Sequence, residues 1–394
     1  MKKIKLAIFD ETLRDGEQQV GIFFDAETKH HLAQLIVATG VHGIAIMPAI
    51  HPTEADLAKN LIGKGLKQTI VASTMMDRKY IDRSVECGVE KIILFHALSD
   101  RLLWLRDDKL RHLSPDLDRK CSSQMQSLNR EKIITRLREQ TIEKILTNLQ
   151  YAVSQGLKVC FAAEDASRAD FDFLVICINK FQPYIEHFFL CDTVGILTPE
   201  TTKNWIRNLI ECTNNKVSLT AHFHNDRGLA LENTIQAVLA GAKGVSGTFG
   251  GIGERAGNVA LEQVLNGLKL RYDWQVAGIN YRAFNDVLEY QKEKSIFANK
   301  PYSPETLRCE TGIHVESLIR DFNSYYLFPH GKPEIWFGKF SGAANFQYLF
   351  ENELNQPLTK EKYREYRDLI KNMAIQEKRS FYIDEVLNIL KYYL

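Results

Sequence analysis

The sequence lacks a dominant charge: 50 Lys and Arg face 49 Asp and Glu over 394 residues. A near-neutral chain offers no global field for nucleic acid or an anionic membrane, although a local patch for a small anionic substrate stays open. Long apolar runs are also missing. The basic start, Met1-Lys2-Lys3-Ile4-Lys5, leads into an apolar stretch that Asp10 and Glu11 soon interrupt. That stretch is too short for a signal peptide or a membrane span. The seven cysteines are scattered without a paired spacing, so free thiols in a reducing cytoplasm are expected rather than a disulfide framework. There is no internal repeat beyond the rhythm described next, and no low-complexity tract.

What is present is an ordinary globular composition, 45% hydrophobic and 25% charged, in a chain longer than one core usually organises. Up to about residue 270, short β-type runs alternate with longer helical patterns. The runs are Ala7–Leu13, Gly43–Pro48, Thr69–Met75, Lys91–Leu98, Lys158–Asp165, His187–Thr193, Ser218–Asn225 and Gly244–Gly250. Each precedes a segment with apolar residues at helical spacing, such as Leu32, Leu35 and Ile36. Helix-start chemistry (Pro52-Thr53-Glu54, Thr198-Pro199-Glu200) and helix-stop glycines (Gly40, Gly88, Gly156, Gly241) recur in phase. Eight such units predict an α/β fold, a (β/α)8 TIM barrel over 1–272, followed by a mostly helical C-terminal lid or dimerisation region over 273–394. A doubly wound sheet is the competitor, because strand order cannot be read from pattern. One connection is out of proportion: Ser99–Asn129 reads as a long polar, Arg-rich loop before a helix starting near Arg130.

In a barrel, chemistry sits at strand C-termini. Here three ends are polar: Asp10-Glu11-Thr12-Leu13-Arg14-Asp15-Gly16, Ala221-His222-Phe223-His224, and Gly250-Gly251-Ile252-Gly253 through Asn258. His-x-His on a strand puts both imidazoles on one face. With Asp15 as carboxylate and Asn258 as a neutral oxygen, they can seat a divalent cation such as Mg, Mn, Fe or Zn beside Arg14. The plainer readings stay open at this point: a structural histidine pair, an Arg-Asp-Gly turn, a tight glycine turn, and Asn258 as the N-cap of a helix over Val259–Leu268.

Two long segments carry a resemblance: DETLRDGEQQVGIFF, and AHFHNDRGLALENTIQAVLAGAKGVSGTFGGIGERAGNVALE. They are supported by AAEDASRADFDFL, CDTVGILTP, TGIHVESLIRDFNSYYLF and GKFSG. The chain resembles the DRE-type TIM-barrel acyltransferases, the homocitrate, isopropylmalate and citramalate synthases, over about residues 6–345. The regulatory domain that leucine-feedback isopropylmalate synthases append has no counterpart after the lid segment, and short homocitrate synthases are the most similar subtype.

The resemblance implies a metal-assisted, Claisen-type condensation of acetyl-CoA with a 2-oxo acid, 2-oxoglutarate in the homocitrate case, in a cytoplasmic homodimer. Arg14 resembles the oxyanion-stabilising arginine; Asp15, His222 and His224, with Asn258, resemble the metal ligands; Gln18 and Thr193 resemble substrate contacts. Glu164, His314 and Tyr325 resemble a Glu-His-Tyr set in which Glu164 orients His314 and the partner subunit's lid brings the His and Tyr. Departures are Ala45 where relatives carry a glutamate, Phe340 where they carry a histidine, and the 99–129 loop, whose Arg101, Arg106 or Lys109 could bind a distal carboxylate. The alternatives are another 2-oxo acid as acceptor, or a superfamily lyase of the 3-hydroxy-3-methylglutaryl-CoA type.

Overall fold

The computed structural model describes residues 1–110, 124–213, 216–326 and 331–391. Its first strand, β1 (Lys2–Ile4), pairs in parallel with β10 (Trp274–Val276). Between them run β2 (Ala7–Asp10), β3 (Gly43–Ile46), β4 (Ile70–Met75), β5 (Lys91–Ala97), β6 (Lys158–Glu164), β7 (His187–Asp192), β8 (Ser218–Phe223) and β9 (Gly244–Gly247). All eight lie inside the runs expected from the sequence. They are parallel and close on themselves, β9 pairing back onto β2 through Ala7–Gly244 and Asp10–Gly247. Closure rules out the doubly wound sheet.

The period-two alternation of each strand divides the apolar residues between two cores. Ile8, Ile44, Ile70, Ile92, Val159 and Phe188 point outward and meet the ring of helices in the largest cluster. Their neighbours Phe9, Val71, Ile93, Cys160 and Phe189, with Cys191, fill the lumen. Small helix-start devices hold the ring in place. Thr198 caps the helix Pro199–Cys212 by accepting from Thr201 N, with Pro199 at its first position.

The outer cluster continues past residue 272 through Phe284, Val287 and Ile296. A separate cluster organises the rest of the chain, from Cys309 to Leu390, around Val315, Tyr325, Phe337, Phe346 and Ile370. Here β11 (Arg308–Cys309) pairs with β12 (Glu334–Ile335), and the helices Gly312–Leu318, Lys360–Glu377 and Ile383–Leu390 do most of the packing.

The stretch after β5 corrects an expectation. Ser99 caps a helix over Asp100–Arg106, and Leu102–Leu105 are buried, Leu102 and Leu105 in the C-terminal cluster. Four consecutive apolar residues give this piece a face to bury, so it is not a solvated loop. The following helix spans Gln124–Ser154 and starts earlier than Arg130. Residues 111–123 of the expected loop lie outside the described residues. No described helix is long and apolar enough to cross a membrane.

Candidate active site

Strand alternation builds the site. Ser73 and Met75, Ile93 and Phe95, Ala162 and Glu164, Phe189 and Cys191 with Thr193, and His222 and His224 all line one cavity of about 830 Å³ at the C-terminal mouth. Each group is spaced by two along its strand, which is the condition for facing one lumen.

The loop after β2 adds Glu11, Arg14, Asp15 and Gln18 to the same wall. Its shape is set by buried Asp10, which accepts from the backbone and hydroxyl of Thr12 at 3.1 and 2.8 Å. Thr12 Oγ1 in turn accepts from Phe249 N at 2.9 Å, tying this loop to the one after β9. Burial pushes the Asp10 carboxyl up to about 8.

Asp15, His222 and His224 offer ligand atoms that all lie within 4.8 Å of one another. Both Nε2 atoms stand 3.9 Å from Asp15 Oδ2. Burial lowers both imidazoles and favours their neutral, ligating form. Burial also opposes ionisation of Asp15, but the Arg14 guanidinium beside it, helped by the Asn258 hydrogen bond, holds the carboxyl below its ordinary range. His222 Nδ1 meets Ser246 Oγ at 3.0 Å, which fixes the ring with Nε2 toward Asp15.

Asn258 is not the N-cap of the next helix, which spans Leu261–Tyr272 behind Ala260. Its Nδ2 donates to Asp15 Oδ1 at 2.8 Å and to the Ile252 carbonyl at 3.2 Å, while its Oδ1 is buried with no hydrogen-bond partner among the described residues. Two neutral imidazoles, one carboxylate and an orphaned amide oxygen suit a borderline or hard divalent cation, so the donors fit the expected metal. Gly253, at φ +142°, permits this approach: a Cβ there would stand 2.6 Å from Asp15 Oδ1 and collide with the Asn258 amide.

Arg14 is held in place by three acceptors. Its Nε donates to Glu11 at 2.8 Å, and one terminal nitrogen reaches Asp15 at 3.1 Å and Gln18 at 3.2 Å. Thr193 lines the cavity and its Oγ1 accepts from Asp165 N at 2.8 Å.

The Glu-His-Tyr set is rearranged relative to expectation. His314 Nδ1 lies 3.0 Å from Glu254, not from Glu164, and Thr311 Oγ1 donates to the same Glu254 oxygen. Glu164 is instead clamped by Arg106, with bonds of 2.7 and 2.8 Å, and accepts from the Tyr325 hydroxyl. Burial opposes ionisation of Glu164, yet Arg106 draws it down to about 2. Arg106 is therefore committed to a protein carboxylate and is not a free receptor. Arg101 likewise pairs with Asp321. The His314 and Tyr325 rings stack at 3.8 Å.

The resemblance implied that a partner's lid supplies these rings, and the structure shows where they lie within one chain. Residues 311–326 lie over the chain's own barrel, where Arg168 donates to the carbonyls of Asn323 and Ser324 and Glu254 holds His314 and Thr311. Glu254 was overlooked in the sequence because it sits in a glycine-rich run that reads as a turn. A carboxylate between Gly253 and Arg255 at a strand end was the available signal.

Residues 5–113 and 120–289 match the HMGL-like family, and the chain belongs to it. Among its relatives, the homocitrate synthase AksA of Methanocaldococcus jannaschii is 33% identical over 86% of this chain and 80% of its own length. The 2-isopropylmalate synthase 2 of Caldanaerobacter subterraneus subsp. tengcongensis is 29% identical over 96% of this chain and 94% of its own. A solved hydroxymethylglutaryl-CoA lyase from Pseudomonas aeruginosa shares the fold, with a TM-score of 0.56 at 22% identity, over 77% of this chain and 96% of that one.

Proposed function

We propose that the protein is an acyl-CoA:2-oxo acid acyltransferase that joins the methyl carbon of acetyl-CoA to the keto carbon of the acceptor. The observation that carries this reading is the single cavity shared by the Asp15, His222, His224 cluster, Arg14 and His314. Asp15, His222 and His224, with the neighbouring Asn258, would hold a divalent cation, which would supply Lewis acidity to the keto group.

The chain's own groups supply the rest. Glu254 accepts the Nδ1 proton of His314, which leaves Nε2 as the base that removes a methyl proton from the thioester. Tyr325, stacked on that ring, keeps it from turning away. Arg14, positioned by Glu11 and Gln18, neutralises the negative charge that gathers on the keto oxygen as the carbon–carbon bond forms. Water then cleaves the thioester, releasing the CoA thiol and a hydroxy dicarboxylate.

The reading of the acceptor rests on part of the cavity wall. Met47, Met75, Ile93 and Phe95 line it, and Arg106 is bonded to Glu164. That lining supports an acceptor with a short or apolar side chain over 2-oxoglutarate. Thiol release from acetyl-CoA, measured against a panel of 2-oxo acids, tests both statements. Release with apolar acceptors is expected. No release with any acceptor overturns the acyltransferase reading, and thioester cleavage of a 3-hydroxy-3-methylglutaryl-type substrate would favour the lyase.

A homodimer in the cytoplasm belongs to the same proposal. The described cysteines are free thiols, in keeping with a reducing compartment. Within the single chain, Glu254 already holds His314 over its own barrel; light scattering and activity at dilution check whether a second subunit is needed.

A further inference from the structure

In the acyltransferase reading the acceptor lies beside Asp15, His222, His224 and Arg14, which share one stretch of the cavity wall. The same cavity also reaches the helix Lys360–Glu377, which contributes Lys360, Tyr363, Arg364, Arg367, Asp368 and Lys371 to the wall. The four cations are spaced by four, three and four residues, which puts them on one face of the helix. They face a single carboxylate from the same helix.

Their partners set them apart from other cations in this region. Lys362 pairs with Glu365, Lys378 with Asp25, and Arg379 with Glu377 and Glu385. Among the described residues, Arg367 pairs with its neighbour Asp368 alone. Lys360, Arg364 and Lys371 have no carboxylate within 4.0 Å among the described residues. The most buried of them, Lys371, donates to the Ile50 carbonyl at 3.4 Å, and burial together with Arg367 pushes its ammonium down to about 8. A partly buried ammonium such as Lys371, with no carboxylate partner, costs stability that a bound anion would offset.

We infer that the cationic face of helix Lys360–Glu377 seats the phosphates of the acyl-CoA co-substrate, with the nucleotide end at the cavity mouth and the thioester beside His314. The inference rests on the acyltransferase reading and names the place of one of its substrates. A 2-oxo acid alone occupies a small part of about 830 Å³, whereas a long polyanion spans from the catalytic groups to the rim. Lys360 and Arg364 are exposed, as suits groups that meet phosphates where the cavity opens to solvent.

The test uses the metal-loaded full chain and the double variant Lys360→Glu, Arg364→Glu, both on the exposed face. Calorimetric titration with CoA and with adenosine 3′,5′-bisphosphate should show affinity lost by at least about tenfold in the variant. Binding of 2-oxo acid should be unchanged. With acetyl-CoA as donor kcat/KM should fall by a similar factor, and with acetyl-pantetheine, which has no nucleotide, variant and parent should match. Unchanged CoA affinity overturns the inference, as does a loss confined to acceptor affinity, which would assign the face to a distal carboxylate. Charge-dependent CoA binding in a protein that releases no thiol upholds the seat and sinks the acyltransferase reading instead.

Discussion

Glu254 and His314 form a carboxylate–imidazole pair with 3.0 Å between Oε1 and Nδ1. The carboxylate comes from the loop after β9 and the ring from the C-terminal segment, so the pair forms only when that segment is seated. Glu254→Gln keeps the shape but removes the charge that orients the ring and stabilises it once protonated. We expect kcat to fall about 10²-fold with little change in acceptor KM, a typical loss for an impaired general base. Glu164→Gln should instead lower the melting temperature, since it leaves Arg106 buried without its counter-charge. Equal kinetic losses in both variants would return the orienting role to Glu164.

The metal cluster makes a paired prediction. His222→Ala should abolish bound metal and thiol release together. Gly253→Ala should lower metal stoichiometry with the fold retained, because the new Cβ must push Asp15 and Asn258 apart. Elemental analysis and circular dichroism on the same samples distinguish lost ligation from unfolding. Full metal content in either variant would remove these residues from the site.

A buried square of charges fastens the C-terminal region to the barrel. Lys29 lies 2.6 Å from Glu17 and 2.7 Å from Glu54, and Lys339 bonds to both carboxylates in turn. Burial opposes ionisation of Glu54, but Lys29 and Lys339 draw it down to about 2. A carboxyl lowered on folding adds stability at neutral pH that is lost as pH falls from the ordinary range toward 2. Lys339→Met should cost about 3 kcal/mol by leaving a net buried negative charge, and adding Glu54→Gln should recover part of it. Denaturant titrations of the single and double variants check the sign; a larger loss in the double would refute the pairing.

Lys371 makes the opposite pH prediction. Its ammonium is lowered to about 8 by burial, Arg367 and Lys339, against weaker support from Glu310 and Asp368. The folded chain therefore gives up this proton before the unfolded chain does, and stability should rise between about pH 8 and pH 10.5. Lys371→Met should stabilise the free protein at pH 7 by about 1 to 2 kcal/mol, discounted for partial exposure, and the gain should vanish above pH 10.5. Thermal melts across that range decide it, and a pH-independent difference would contradict the shift.

The barrel was legible because it depends on local periodicity. Alternation at period two, helical spacing and end signals such as Thr198-Pro199-Glu200 repeat eight times, and all eight strands fall within the runs they predicted. Asp15, His222 and His224 could be picked out as a cluster because each lies at or shortly after a strand C-terminus, where closure of any such barrel brings them to one mouth. The start of the Ser99–Asn129 connection was misread because charge counts concealed Leu102 and Leu105, whose burial depends on a C-terminal core far along the chain.

Partner choice was decided by tertiary structure alone. Glu254 and Glu164 are both strand-end carboxylates, and nothing local says which will meet His314 and which Arg106. That assignment depends on how the segment after residue 300 lies across the barrel, through contacts such as Arg168 to Ser324 and Lys339 to Glu17. Alternation along a strand is a property of neighbouring residues and survives in the sequence, whereas an ion pair between distant segments exists only after the chain has paid the entropy of bringing them together.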